Sequence, residues 1–166
     1  MNRINLCDPL PNWERIDYDS IIGAESAAAP GGALLSETGP AHLPKRKLVF
    51  VVDDDPSMLR GVQRLLREYG YDSVAFASAD AFQRHDNFGE AVCVVLDINL
   101  NKDCGIQLRR RLKSAGIPLP VIYITGEDNP ATRTAAIESG CLAYLTKPFA
   151  AKSLIEPIQK VSAGLA

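Results

Sequence analysis

The chain has 166 residues, 46% of them apolar, and a formal net charge of −2, which bounds it to one globular domain with some chain to spare. No run approaches the roughly 20 apolar residues of a membrane span, and the start lacks the basic-then-apolar order of a secretory signal, so a soluble cytoplasmic protein with no membrane partner is expected. There is neither a concentrated basic face nor a recognition-helix module, which argues against direct contact with nucleic acid. Cys7, Cys93, Cys104 and Cys141 show no C-x-x-C spacing and no nearby His, a pattern that predicts reduced thiols rather than disulfides or a zinc site.

Residues 1–44 set Arg3 and Arg15 against Asp8, Glu14, Asp17, Asp19, Glu25 and Glu37, a balance of −4, and the rest of the chain carries +2. Within this segment Ser26 to Pro44 is small, Gly/Pro-punctuated and without apolar period, as linkers are. Trp13, Ile16, Tyr18, Ile21 and Ile22 are enough for a short docking segment but not for a core. The expectation is a flexible extension over 1–44 and a folded domain over 45–166.

From Lys47 a strand-then-helix cycle begins. Leu48–Val52 is a continuous apolar run, as in a parallel strand covered on both faces. Pro56 then opens a helix carrying Met58, Leu59, Val62, Leu65 and Leu66 at helical spacing, closed by Gly70. The cycle repeats through strand Ser73–Phe76 and helix Ala79–His85, strand Val92–Leu96 and helix Gly105–Ala115, strand Val121–Ile124 and helix Ala131–Ser139, and strand Leu142–Leu145 and helix Ala151–Ala163. Five such units make a doubly wound α/β domain of about 120 residues with a parallel sheet, right-handed crossovers and helices on both faces. Pro157 falls inside the last helix and predicts a kink or a delayed start.

Ligands of open parallel sheets bind at the carboxyl ends of the strands, and the polar residues gather there. Asp53, Asp54 and Asp55 follow the first strand, Asp97 the third, Thr125 the fourth and Lys147 the fifth. Each alone has a plain structural reading: Asp55 as a helix cap, Asp97 as a turn, Thr125 as a loop hydroxyl, Lys147 as a solvated charge. Together they read differently, because clustered carboxylates raise one another's pKa unless a cation neutralises them, which predicts a hard divalent ion such as Mg²⁺.

The blocks VVDDDPSM, VVLDINL, VIYITGE and LAYLTKPF, in this order, resemble the motifs of the response-regulator receiver family of two-component systems, over roughly residues 47–163. The resemblance implies a flavodoxin-like sheet of strand order 2-1-3-4-5 and a signalling domain that catalyses only its own phosphorylation and dephosphorylation. It assigns the metal to Asp53, Asp54, Asp97 and the backbone carbonyl of Asn99, the phosphorylated aspartate to Asp97, the phosphoryl-contacting hydroxyl to Thr125 and the salt-bridging ammonium to Lys147, before a cis Pro148. It implies a sensor histidine kinase or phosphotransfer protein as donor, weak homodimerisation on phosphorylation, and a switch in which Thr125 moves and Tyr144 turns inward. The helix 4–strand 5–helix 5 face would then be the readout. Asn99 and Glu127 stand where the family tunes phosphoryl lifetime, and their pairing, shared with chemotaxis-type receivers, implies rapid turnover.

The chain departs from the family in the loop after Asp97, which reads Leu100, Asn101, Lys102, Asp103 and Cys104 in place of the usual Met-Pro-Asp run and keeps Gly105. That leaves the rigidity of the loop open and adds a charge at Lys102. Gly126 is expected to loosen the loop after Thr125. Two rival readings remain. Asp53-x-Asp55-x-Ser57 matches the nucleophile motif of haloacid-dehalogenase-type phosphatases, although no acidic motif follows Lys147, and a receiver-shaped adaptor would bind partners without phosphorylation. With three residues after Ala163 and a short extension before the fold, a stand-alone receiver is expected.

Overall fold

The structure is a computed structural model that describes residues 46–164; the extension expected over 1–44 lies outside them. Five strands, β1 (Leu48–Val52), β2 (Asp72–Phe76), β3 (Ala91–Asp97), β4 (Val121–Thr125) and β5 (Ala143–Thr146), alternate with five helices. The helices are α1 (Pro56–Glu68), α2 (Ala79–Gln83), α3 (Gly105–Ser114), α4 (Pro130–Glu138) and α5 (Ala151–Ser162). All strand pairs in this sheet are parallel, in the spatial order β2-β1-β3-β4-β5, as the resemblance implies. Among the described residues no helix is long and apolar enough to cross a membrane.

The apolar runs of the strands are explained by two cores, one on each face of the sheet. Phe50, Val52, Val94, Leu96, Val121 and Tyr123 point to α2, α3 and α4, where they meet Phe82, Ile106, Leu108 and Ala136. Their neighbours Val49, Val51, Cys93, Val95, Ile122 and Ile124 point to α1 and α5, onto Leu59, Val62, Leu66, Leu154 and Ile158. Each such side chain taken fully out of water contributes about 1.5–3 kcal/mol, against about 1 kcal/mol for a helix cap. Burial on both faces therefore fixes the position of the sheet, and the caps trim the helix ends.

Local signals act at those ends. Pro56 and Pro130 open α1 and α4 behind the side-chain caps Asp55 and Asn129, where a missing N–H costs nothing. Gly70, just past α1, takes φ +81°, a left-handed turn that only glycine adopts without strain. The second helix stops at Gln83, two residues short of expectation, and His85 instead packs edge-on among Phe50, Phe76 and Phe88. Pro157 neither delays nor ends α5, which runs from Ala151 through Ser162. The carbonyl that Pro157 leaves without a donor belongs to the exposed Ser153, where water can satisfy it. Cys93 and Cys141 are free, whereas Cys104 is disulfide-bonded, against the expectation of reduced thiols throughout.

The loop after β3, whose rigidity the departures from the family pattern leave open, is paired with itself. Asn99–Leu100 and Asp103–Cys104 pair as a two-rung antiparallel hairpin, with Leu100 and Cys104 turned into the core. The Arg111 Nη2 atom binds Asp103 Oδ1 at 2.9 Å, and the Gly105 amide donates to the Ile98 carbonyl at 2.8 Å.

Candidate functional site

Strand register brings the polar residues to one level. Val52 is opposite Leu96, Asp97 is opposite Ile124 and Thr125 is opposite Thr146, so Asp53, Asp97, Thr125 and Lys147 all emerge at the carboxyl edge of the sheet. The chain order reverses between β2-β1 on one side and β3-β4-β5 on the other, and such a reversal opens a crevice.

Lys147 is the centre of the arrangement. Its backbone amide donates to the Thr125 carbonyl at 2.7 Å, the Lys147-Pro148 bond is cis, and its Nζ donates to Asp53 Oδ2 and Asp97 Oδ2, at 2.7 Å each. Asp53 is fully buried and Asp97 is 5% exposed, so this ammonium sits in low-dielectric surroundings where charge pairing is strong. Asp97 is nonetheless held above the usual carboxylate range. Burial is the main cause, opposed by the Lys147 hydrogen bond and by the Asn99 amide, which donates to Asp97 Oδ1 at 3.0 Å. Burial alone would lower the Lys147 pKa, but the two carboxylates together raise it.

One carboxylate oxygen each from Asp53, Asp54 and Asp97 lie within 4.8 Å of one another. Three hard oxygen donors at that spacing suit a hard divalent cation. Asp55 is not among them: its amide donates to Asp53 Oδ1 and its own Oδ1 accepts from the Ser57 amide, each at 2.8 Å. It is a helix cap, which removes the geometric basis of the phosphatase motif. Replacing Asp55 with alanine is therefore expected to cost about 1 kcal/mol of stability, read as a lower urea midpoint; an unchanged midpoint would mean that the cap contributes nothing.

Around the mouth, the buried Thr125 hydroxyl is committed to its own loop. It donates to the Glu127 carbonyl at 2.9 Å, accepts from the Glu127 amide at 3.1 Å, and lies 3.4 Å from Asn99 Nδ2. Asn99 and Glu127 are exposed at the rim. Tyr144 on β5 is half-buried, and its hydroxyl donates to Asp128 Oδ1 at 3.1 Å. Two residues with no separate sequence signal enter here: Asp128, ion-paired to Arg133, and Arg133 itself, whose guanidinium lies 5.1 Å from the centre of the Tyr144 ring.

Fold and site together are those of a doubly wound α/β domain with an acidic crevice at the carboxyl edge of its parallel sheet. The sequence model of the response regulator receiver domain matches residues 49–159, and the chain belongs to that family. It is 30% identical over 124 residues to the response regulator protein TodT of Pseudomonas putida, covering 74% of this chain and 55% of that protein. To nodulation protein W of Bradyrhizobium diazoefficiens it is 33% identical over 113 residues, covering 68% and 50%. The chain thus spans about half the length of these relatives. Among solved structures, the response regulator StyR superposes with a TM-score of 0.64 at 31% identity, over 69% of this chain and 58% of that one. A response regulator receiver protein from Pseudoalteromonas atlantica gives 0.67 at 24% identity, over 72% and 99%, a likeness of fold.

Proposed function

We propose that this receiver accepts a phosphoryl group on Asp97 from the phosphohistidine of a sensor histidine kinase or phosphotransfer protein in the cytoplasm. A downstream protein would then read the outcome through the α4–β5–α5 face, with weak homodimerisation as a further consequence. The observation that carries this reading is the Lys147 ammonium, held 2.7 Å from both Asp53 and Asp97 in a crevice that Asp54 and Thr125 also line.

The carboxylate of Asp97 attacks phosphorus in line, a P–O bond forms as the P–N bond of the phosphohistidine breaks, and the imidazole leaves. Mg²⁺, held by Asp53, Asp54, Asp97 and the Asn99 carbonyl, would offset charge on the transferred oxygens. Lys147 gives up its bond to one carboxylate and follows the phosphoryl group, and Thr125 trades its bond to the Glu127 carbonyl for a phosphoryl oxygen. Positioning does most of the work. The product is an acyl phosphate open to water, and Asn99 and Glu127 at the rim set its lifetime. The domain turns over no other substrate.

Intact-mass spectrometry after incubation with acetyl phosphate tests this. The expected result is a gain of one phosphoryl group that disappears in Asp97→Asn and on chelation of Mg²⁺. No gain in the unaltered protein would leave an adaptor that binds partners without phosphorylation.

A further inference from the structure

Asp128 stands between the loop that Thr125 anchors and α4. Both of its carboxylate oxygens are engaged: Oδ1 accepts from Arg133 Nε at 3.2 Å and from the Tyr144 hydroxyl at 3.1 Å, and Oδ2 pairs with Arg133 Nη2. The Arg133 guanidinium in turn lies over the Tyr144 ring, 5.1 Å from its centre, within range of a cation–π attraction. The ring is therefore pinned twice, at its hydroxyl by an acid and on its face by that acid's own partner. Burial raises the Tyr144 hydroxyl to about 12, with the Asp128 bond adding to the shift, so the phenol stays protonated and able to donate at neutral pH.

We propose that Asp128 and Arg133 form a latch that holds Tyr144 in its unphosphorylated position and sets how readily the α4–β5–α5 face switches. This rests on the reading of Asp97 as acceptor and of Thr125 and Tyr144 as the moving parts. The coupling runs through one peptide. The Thr125 hydroxyl donates to the Glu127 carbonyl, which belongs to the peptide that joins Glu127 to Asp128. When Thr125 turns to a phosphoryl oxygen, that carbonyl loses its donor and the backbone bearing Asp128 is freed, while the Asn129 cap keeps the start of α4 in place through its 2.8 Å bond from the Thr132 amide. The ion pair is solvent-exposed, with 52% of the Arg133 side chain and 39% of that of Asp128 accessible. Exposed pairs are weak, so the latch biases the Tyr144 equilibrium by several-fold and a phosphoryl group can overturn it.

The test uses the full chain labelled with 3-fluorotyrosine and titrated with beryllofluoride and Mg²⁺ as a phosphoryl mimic. The Tyr144 fluorine resonance is identified by its loss in Tyr144→Phe. A ligand that favours the switched state binds more tightly when that state is already populated. Asp128→Ala and Arg133→Leu are each expected to lower the half-saturating beryllofluoride concentration by about five-fold, and to move the free Tyr144 resonance part of the way to its bound position. The double variant should go no further than the stronger single one, because the two side chains act as a unit. Half-saturation equal to that of the unaltered protein overturns the latch even if the resonance shifts, since a new neighbour alone can move a fluorine signal. If the unaltered protein shows no binding beyond that of Asp97→Asn, the acceptor reading fails and takes the latch with it.

Discussion

Replacing Lys147 with alanine is expected to lower the unfolding free energy by about 3 kcal/mol in Mg²⁺-free buffer, the scale on which breaking a buried ion pair destabilises a protein. The ammonium lies 2.7 Å from both carboxylates, and the Asp53 side chain is fully enclosed. Its removal leaves Asp53 and Asp97 without the side chain that bridges them, with the Asp54 carboxylate close by. The substitution keeps the Lys147 amide and its 2.7 Å bond to the Thr125 carbonyl, so what it removes at the crevice is the charge. The cost is electrostatic, so a cation should reverse much of it. Urea denaturation with EDTA and with millimolar Mg²⁺ separates these terms. On the proposed reading Lys147 and Mg²⁺ would compete for the same carboxylates, so added Mg²⁺ should stabilise Lys147→Ala more than the parent. Equal responses would mean that the lysine and the metal do not share Asp53 and Asp97.

The sheet was legible because its signals are local. A strand covered on both faces must be apolar throughout; Leu48–Val52 is so, and Val121–Thr125 is so up to Thr125, where it meets the crevice. The site was legible for a related reason: a residue at a strand end needs no long-range knowledge to be placed, once the strands are parallel and of similar length. That is why Asp53, Asp97, Thr125 and Lys147 fall together as the sequence predicts.

What the sequence concealed depends on contacts across the chain or on elements too short for a period. Tyr144 and Asp128 are 16 residues apart, and their bond exists because β5 runs beside the loop that leads into α4. No spacing rule announces it. The hairpin at Asn99–Leu100 has two rungs, fewer than any alternation can reveal, so a loop that reads as an irregular substitution proves to be a paired one. Pro157 leaves the start of α5 at Ala151, without the delay that its missing donor predicts. Its effect depends on whether the orphaned carbonyl faces water, and the exposure of Ser153 decides that. His85 left α2 for a similar reason: a place among three phenylalanine rings outweighs the small propensity gain of two more helical residues.

Substituting alanine for Gly105 should cost about 2–3 kcal/mol, the upper part of the range for overpacking, and slow phosphoryl acceptance by at least about ten-fold, since a misplacement near 1 Å at reacting groups is that damaging. A Cβ built at this position lies 2.2 Å from the carbonyl oxygen of Asp97 and 3.1 Å from Ile98 Cα. Both are backbone, so no side chain can swing aside. The requirement here is close approach and not a left-handed turn, for Gly105 is the first residue of α3 and is not among the glycines with positive φ. Its amide also fastens the helix to the Ile98 carbonyl at 2.8 Å, so the start of α3 has little room to retreat. Relief must come from the backbone of Asp97, whose carboxylate would then leave the position set by Lys147 Nζ and the Asn99 amide. Chemical denaturation and the rate of mass gain from acetyl phosphate read the two effects separately. Loss of stability with an unchanged rate would mean that α3 yields and Asp97 stays, so that the glycine serves packing alone. Loss of both, with the rate falling further than any unfolded fraction explains, would make Gly105 the residue that seats the acceptor from behind.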